Sequence, residues 1–162
     1  MKKLVLTIAV VLILVLGVGV YSILTRPKLT DTKQIQALLL RGQAAIEKKN
    51  VKEAMSCLSA AYKDSAGYNY DTMRFQVIEA FKSDAKYEVD LKNTSIVING
   101  DTAHVQAYLV FSMTQELEHQ TQNSNGMVGI DLKKEDSKRW LVFPTKTWKI
   151  TSISGGPSML DE

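Results

Sequence analysis

From Leu4 to Leu24 the chain runs 21 residues without a charged side chain, most of them Leu, Val and Ile. No other feature restricts the molecule as tightly. As a helix rising ~1.5 Å per residue this run spans about 32 Å, enough for a hydrocarbon core of roughly 30 Å. A cleavable secretory signal has an apolar stretch of only about 7–15 residues and a small-x-small cut site. This run is longer and leaves through Val20-Tyr21-Ser22-Ile23-Leu24-Thr25-Arg26, with neither an Ala-x-Ala pattern nor a cysteine for lipid attachment at its exit. It reads as an uncleaved signal-anchor, a single-pass transmembrane helix. A short N-terminal tail ahead of it is easily kept in the cytoplasm, so the expected address is the cell membrane, with the remaining domain outside, periplasmic or extracellular. Gly17 and Gly19 lie two apart and so do not form the four-spaced pair that favours helix dimers.

The anchor also accounts for the charge. Of 20 basic and 17 acidic side chains, residues 1–28 hold four basic ones (Lys2, Lys3, Arg26, Lys28) and no acidic one, which leaves 16 against 17 for residues 29–162. The net +3 therefore describes the anchor, not a basic domain, and no nucleic-acid partner is expected, because phosphate binding needs a clustered cationic face. One cysteine, Cys57, excludes a disulfide scaffold and is expected to be buried. Residues 1–28 are read as anchor and short link, 29–156 as one domain and 157–162 as a flexible tail.

Behind Pro27 a helix is expected from about Asp31, with Ile35, Leu38, Leu39, Gly42, Ala45 and Ile46 on one face. Asn50 opens a second helix, with Glu53 completing a capping-box pattern and Val51, Ala54, Met55, Leu58, Ala61 and Tyr62 as its stripe. Lys63–Tyr70 is a loop, and Thr72–Ala85 a third helix with Met73, Val77, Ile78 and Phe81 inward. From Lys86 the period becomes two. Tyr87, Val89 and Leu91 alternate with Glu88, Asp90 and Lys92, and Ile96-Val97-Ile98 runs into Asn99-Gly100, a hairpin signal in which both turn residues tolerate positive φ. The return strand sets Ala103, Val105, Ala107, Leu109 and Phe111 against His104, Gln106, Tyr108, Val110 and Ser112. Gln115–Asn125 reads as a polar connection. Val128, Ile130 and Leu132 start another strand, with a turn at Lys134–Ser137. Arg139–Phe143 and Thr147–Ser154 follow, interrupted at Pro144, which suits only an edge or bulge. The domain is α+β: three helices on one face of an antiparallel sheet of four or five strands.

Together, the three helices, "VINGDTAHVQAYLVF", "GIDLKKEDSKRW" and the closing "TWKITSIS" resemble the nuclear transport factor two-like superfamily, whose relatives include ketosteroid isomerase and polyketide cyclases. The resemblance rests on Asn99, Gly100, Asp101, Ala103 and Val105, and on Trp148 with Ile150, and it spans about residues 31–154. It implies a curved sheet wrapped around the helices into a cone. One departure is the length of Lys138–Thr147, which is either a longer bulged hairpin or an inserted apolar loop.

No residue assembles a recognisable catalytic set. His104 falls on the strand face opposite Ala103, Val105 and Ala107 and is expected at the surface. His119 sits among Glu116, Glu118 and Gln120 without a metal-ligand spacing, so no metal and no cofactor is expected. Asn93-Thr94-Ser95 matches a glycosylation acceptor, a triplet common by chance. The binding candidates are aromatic. Tyr62, Tyr68 and Tyr70 cluster with Asp64 and Asp71, where the resemblance implies the wide end of the cone. Trp140 and Phe143 lie in a segment apolar on both faces, which needs cover from loops, a partner or the membrane. The reading is a membrane-anchored, non-catalytic module that binds a partner protein, a second copy of itself or a small apolar ligand, as an accessory subunit of a membrane complex would. The alternative is an isomerase- or dehydratase-type enzyme acting on a small apolar molecule inside the cone.

Overall fold

In a computed structural model of the chain, the described residues are 29–115, 120–137 and 145–156. The expected membrane span, His119 and the Trp140–Phe143 segment lie outside them. Among the described residues no helix is long and apolar enough to cross a membrane.

Three helices, α1 (Asp31–Glu47), α2 (Val51–Cys57) and α3 (Tyr70–Lys82), precede four strands, β1 (Lys86–Asn99), β2 (Thr102–Gln115), β3 (Gln120–Ser137) and β4 (Thr145–Gly155). The strands form one antiparallel sheet in the order β1-β2-β3-β4. The α1 stripe does what its spacing requires: Ile35, Leu38, Leu39 and Ala45 are buried. Ile35, Leu38 and Leu39 join one core with Ala103, Val105 and Ala107 of β2, Val128, Ile130 and Leu132 of β3, and Trp148 and Ile150 of β4. Each buried large side chain contributes about 1.5–3 kcal/mol, so this layer carries most of the domain's stability.

Two bulges keep the alternation on that core. Tyr87, Val89 and Leu91 point inward at odd positions, whereas Ile96 and Ile98 do so at even ones. The change of parity comes from Asn93 and Thr94, which together oppose Ala107 between the pairs Lys92↔Tyr108 and Ser95↔Gln106. Asn93 takes φ +51°, a left-handed conformation that asparagine tolerates. In β4, Thr151 is the extra residue between Ser152↔Asp131 and Ile150↔Leu132, so Ile153 and Ile150 both face inward.

Several boundaries differ from the sequence reading. The second helix stops at Cys57 and does not reach Tyr62. Leu58 is extended and bridges Ile150, Ser59 N–H donates to the Ile150 carbonyl (2.8 Å) and Lys63 N–H to that of Thr151 (3.0 Å), so the chain covers the β4 edge in place of another helical turn. Ala61 is exposed as a result, while Tyr62 is buried. Asn50 caps Glu53 N–H (3.0 Å), but Glu53 turns its carboxylate to Arg41 (3.2 Å), which leaves the box half made. The complete capping box belongs to α3, between Asn69 and Thr72. That helix starts at Tyr70, and its Met73, Val77, Ile78 and Phe81 are only half-buried. The polar stretch Gln115–Asn125 is largely strand: Gln120–Asn125 pairs residue by residue with Val110–Gln115, since the backbone ladder does not need apolar side chains. Lys134–Ser137, expected as a turn, is also strand and pairs with Thr145–Trp148.

At the β1–β2 hairpin Asn99 pairs with Thr102, so the two loop residues are Gly100 and Asp101. Only Gly100 has positive φ (+59°), the first central position of a II′-type turn; Asn99 does not. A further tie joins the start of α1 to the sheet. Asp31 accepts from Lys134 Nζ (2.9 Å) and from Trp148 Nε1 (3.3 Å), and the ammonium lies 5.0 Å from the Trp148 ring centre. The Lys134 hydrogen bond holds the Asp31 carboxyl below its ordinary 3.8, against a smaller upward push from burial.

Gly100→Ala is expected to lower stability by about 1 kcal/mol, read by chemical denaturation, because a Cβ there meets no atom but must adopt positive φ. Asn99→Ala, at negative φ, should cost clearly less. The lowered Asp31 pKa contributes stability that is complete above about 3.8 and is lost as pH falls through the folded value. Asp31→Asn should therefore lower the melting temperature near neutral pH and flatten its fall below about pH 4.

Candidate functional site

The space between helices and sheet is lined by the apolar core, and Ser59 is the one polar residue buried among the described residues. Its hydroxyl donates to Glu135 Oε1 (2.5 Å) and accepts from Ala61 N–H (2.9 Å). Among the described residues no buried side-chain polar atom lacks a partner. Cys57 is buried, with its thiol 3.4 Å from the Glu53 carbonyl.

Tyr62 lies 2% exposed at the rim of this core and donates its hydroxyl to Asp64 Oδ2 (3.0 Å). Burial, reinforced by that carboxylate, holds the phenol well above its ordinary value, so it stays protonated. The other Asp64 oxygen accepts from Tyr68 N–H (2.9 Å), and Gly67, at φ +90°, closes the turn between them. The tyrosine cluster is thus brought together around Asp64 only in part. Tyr62 and the Tyr68 backbone meet there, the Tyr68 side chain is exposed, and Tyr70 packs against the core from the start of α3. Asp71 is exposed. Trp140 and Phe143, the remaining binding candidates, lie outside the described residues.

The outer face of the sheet holds a constellation that sequence spacing did not single out. His104, outward as its strand parity requires, places Nδ1 2.7 Å from Asp131 Oδ1 across the β2–β3 ladder. Ser152 Oγ donates to the other Asp131 oxygen (3.1 Å), and Thr151 Oγ1 to the Asp131 carbonyl (3.1 Å), so the β4 bulge locks the carboxylate that orients the imidazole. Beside this pair a groove of about 370 Å³ is lined by Val97, Asn99, Thr102, His104, Lys133 and Thr151, among others. Gly129 leaves room for the imidazole: a Cβ there would come 3.3 Å from its Cε1 and 2.8 Å from Ser154 Oγ. A histidine held at Nδ1 presents Nε2 to a ligand. Among the described residues no hydroxyl is hydrogen-bonded to Nε2, and no group of three metal-ligating side chains forms. Asp131 lies 27 residues from His104, and only the register of β2 on β3 unites them.

Many solved structures share this architecture. A candidate scytalone dehydratase from Novosphingobium aromaticivorans superposes with a TM-score of 0.65 at 12% identity, covering 76% of this chain and 80% of that one. The fold is nuclear transport factor two-like. A nuclear transport factor 2 (NTF2-like) superfamily protein from Salmonella enterica serovar Typhimurium gives 0.61 at 17% identity (78% and 90% covered), and a candidate aromatic ring hydroxylase from N. aromaticivorans gives 0.62 at 16% (76% and 85%). No protein-family model matches the sequence, and no curated protein is similar to it. At these identities the nuclear transport factor two-like likeness is one of fold, and function has to be argued from the site.

Asp131→Asn is expected to change stability by less than about 1 kcal/mol, because the pair is about half exposed. It should nevertheless shift the His104 ring signals in NMR spectra; unchanged signals would mean that the pair does not hold the ring in solution.

Proposed function

We propose that the chain is a non-catalytic contact module, held beside the membrane by Leu4–Leu24, that presents the outer sheet face around His104 to a partner protein or a small ligand. The observation carrying this reading is the apolar interior: between helices and sheet, the described residues bury apolar side chains and Ser59, with no buried carboxylate or imidazole to act as acid or base. Recognition then falls to the surface, where an oriented histidine borders a groove with hydroxyl, amide and ammonium groups along its walls.

The rival reading is an isomerase- or dehydratase-type enzyme. In its favour stands the Tyr62–Asp64 hydrogen bond, a buried phenol beside a carboxylate. Against it, both Asp64 oxygens are already engaged, one by Tyr62 and one by the Tyr68 backbone, as in a turn-organising carboxylate.

Photo-crosslinking in intact cells tests the proposal. A benzophenone amino acid at position 104 should yield discrete adducts, whereas one at position 74, exposed on α3, should not. Carbonate washing should leave the full chain with the membranes and release a chain lacking residues 1–28. Equal adducts from both positions, or release of the full chain, would refute it.

A further inference from the structure

The direction of the backbone groups along β1 shows which stretch of the sheet edge is free. Val89 points its N–H and C=O away from β2, toward α1, where Glu47 Oε1 accepts from the N–H (3.4 Å) and Gln43 Nε2 donates to the C=O (3.3 Å). Because antiparallel pairs alternate and the bulge at Asn93–Thr94 shifts the phase by one, the outward groups beyond it belong to Ile96 and Ile98. Among the described residues neither of these has a partner on that side. Val97, between them, is 64% exposed on the outer face. The opposite edge is different: on β4, Ile150 and Thr151 are taken by Ser59 and Lys63. The chain thus crosses the β4 edge at its middle, whereas the β1 edge is open over five residues.

We propose that this open stretch is a self-association edge, at which two copies pair antiparallel through Ser95–Asn99 with Val97 facing Val97 of the second copy across a two-fold axis. The register follows from the geometry. Ile96 of one copy and Ile98 of the other exchange N–H and C=O groups, giving about four hydrogen bonds over the two symmetric pairs. Centring on Val97 keeps Ile96 and Ile98 of both copies on the core side, whereas a slip of one residue would turn them outward.

The charges select the same partner. Residues 93–99 carry none, with Lys92 before them and Asp101 after them. Antiparallel pairing brings Lys92, beside Asp90 in its own chain, near Asp101 of the other copy, itself paired with Lys146, so the added attraction is small, whereas parallel pairing would bring Lys92 to Lys92. Pairing about a two-fold axis uses the same β1 edge on both copies, so it closes as an isologous dimer. The bulge limits it to five residues, and the pairing gains further from any tether that concentrates the chains in one plane. Val97 and Asn99 also border the outer-face groove, but the edge pairing runs through backbone groups and is read by disulfide trapping at position 97, whereas the outer-face reading is tested by adducts at position 104, so the failure of one is distinguishable from that of the other.

Disulfide trapping in full-length chain carrying Cys57→Ser tests the pairing. Across such an axis the Val97 Cβ atoms lie about 4.5–5.5 Å apart, close to disulfide geometry, while position 104, one strand further in, does not meet its symmetry mate. Under mild oxidation Val97→Cys should give roughly tenfold more crosslinked dimer than His104→Cys. Val97→Lys, at an exposed site, should leave the melting temperature unchanged and halve the mass measured by light scattering. Equal crosslinking at position 104 would indicate a face-to-face contact instead. No crosslink at position 97, or a mass unaffected by Val97→Lys, would overturn the proposal.

Discussion

The α1 stripe shares one buried core with the inner faces of β2, β3 and β4, and every other feature of the domain hangs on that core. Ile35 and Val105 have no exposed surface and share one core with Ala103 and Ala107. Once that layer is set, the alternation along each strand sorts the remaining side chains. Odd positions of β2 go to the core, and His104, Gln106, Tyr108 and Val110 go to the opposite face. The outer face is a consequence of the inner one.

A sheet that must cover one helix layer along such long strands cannot keep perfect alternation throughout. The two bulges absorb the mismatch, and each has a second effect. At Asn93–Thr94 the extra residue re-aims the backbone groups of β1, so that those of Ile96 and Ile98 face outward from the edge. At Thr151 it brings a second hydroxyl to Asp131, which in turn holds His104. Packing defects in the ladder thus shape both surfaces through which the domain is proposed to act.

The helices were legible to differing degrees. The α1 stripe was readable because burial imposes its period on the residues themselves. The Asn99-Gly100 signal placed the hairpin correctly but shifted its loop by one residue, because either Asn-Gly or Gly-Asp can fill the two turn positions and the strand register chooses between them. The end of α2 was not readable. Leu58, Ala61 and Tyr62 continue the helical spacing, yet the free backbone groups of the β4 edge compete for the same segment and win. The tyrosine cluster was visible as composition, but that Asp64 ties down Tyr62 while the Tyr68 ring stays exposed depends on a turn around Gly67.

By itself the sequence determined the α+β class, the face that each strand turns to the core and the apolar run at the N-terminus, because hydrophobic period and length are properties of neighbouring residues. Tertiary structure alone decided where the second helix ends, that His104 meets Asp131 across 27 residues and which stretch of edge stays open. Those outcomes follow from strand register and from backbone groups competing for partners distant in the chain, and no local pattern of side chains encodes either.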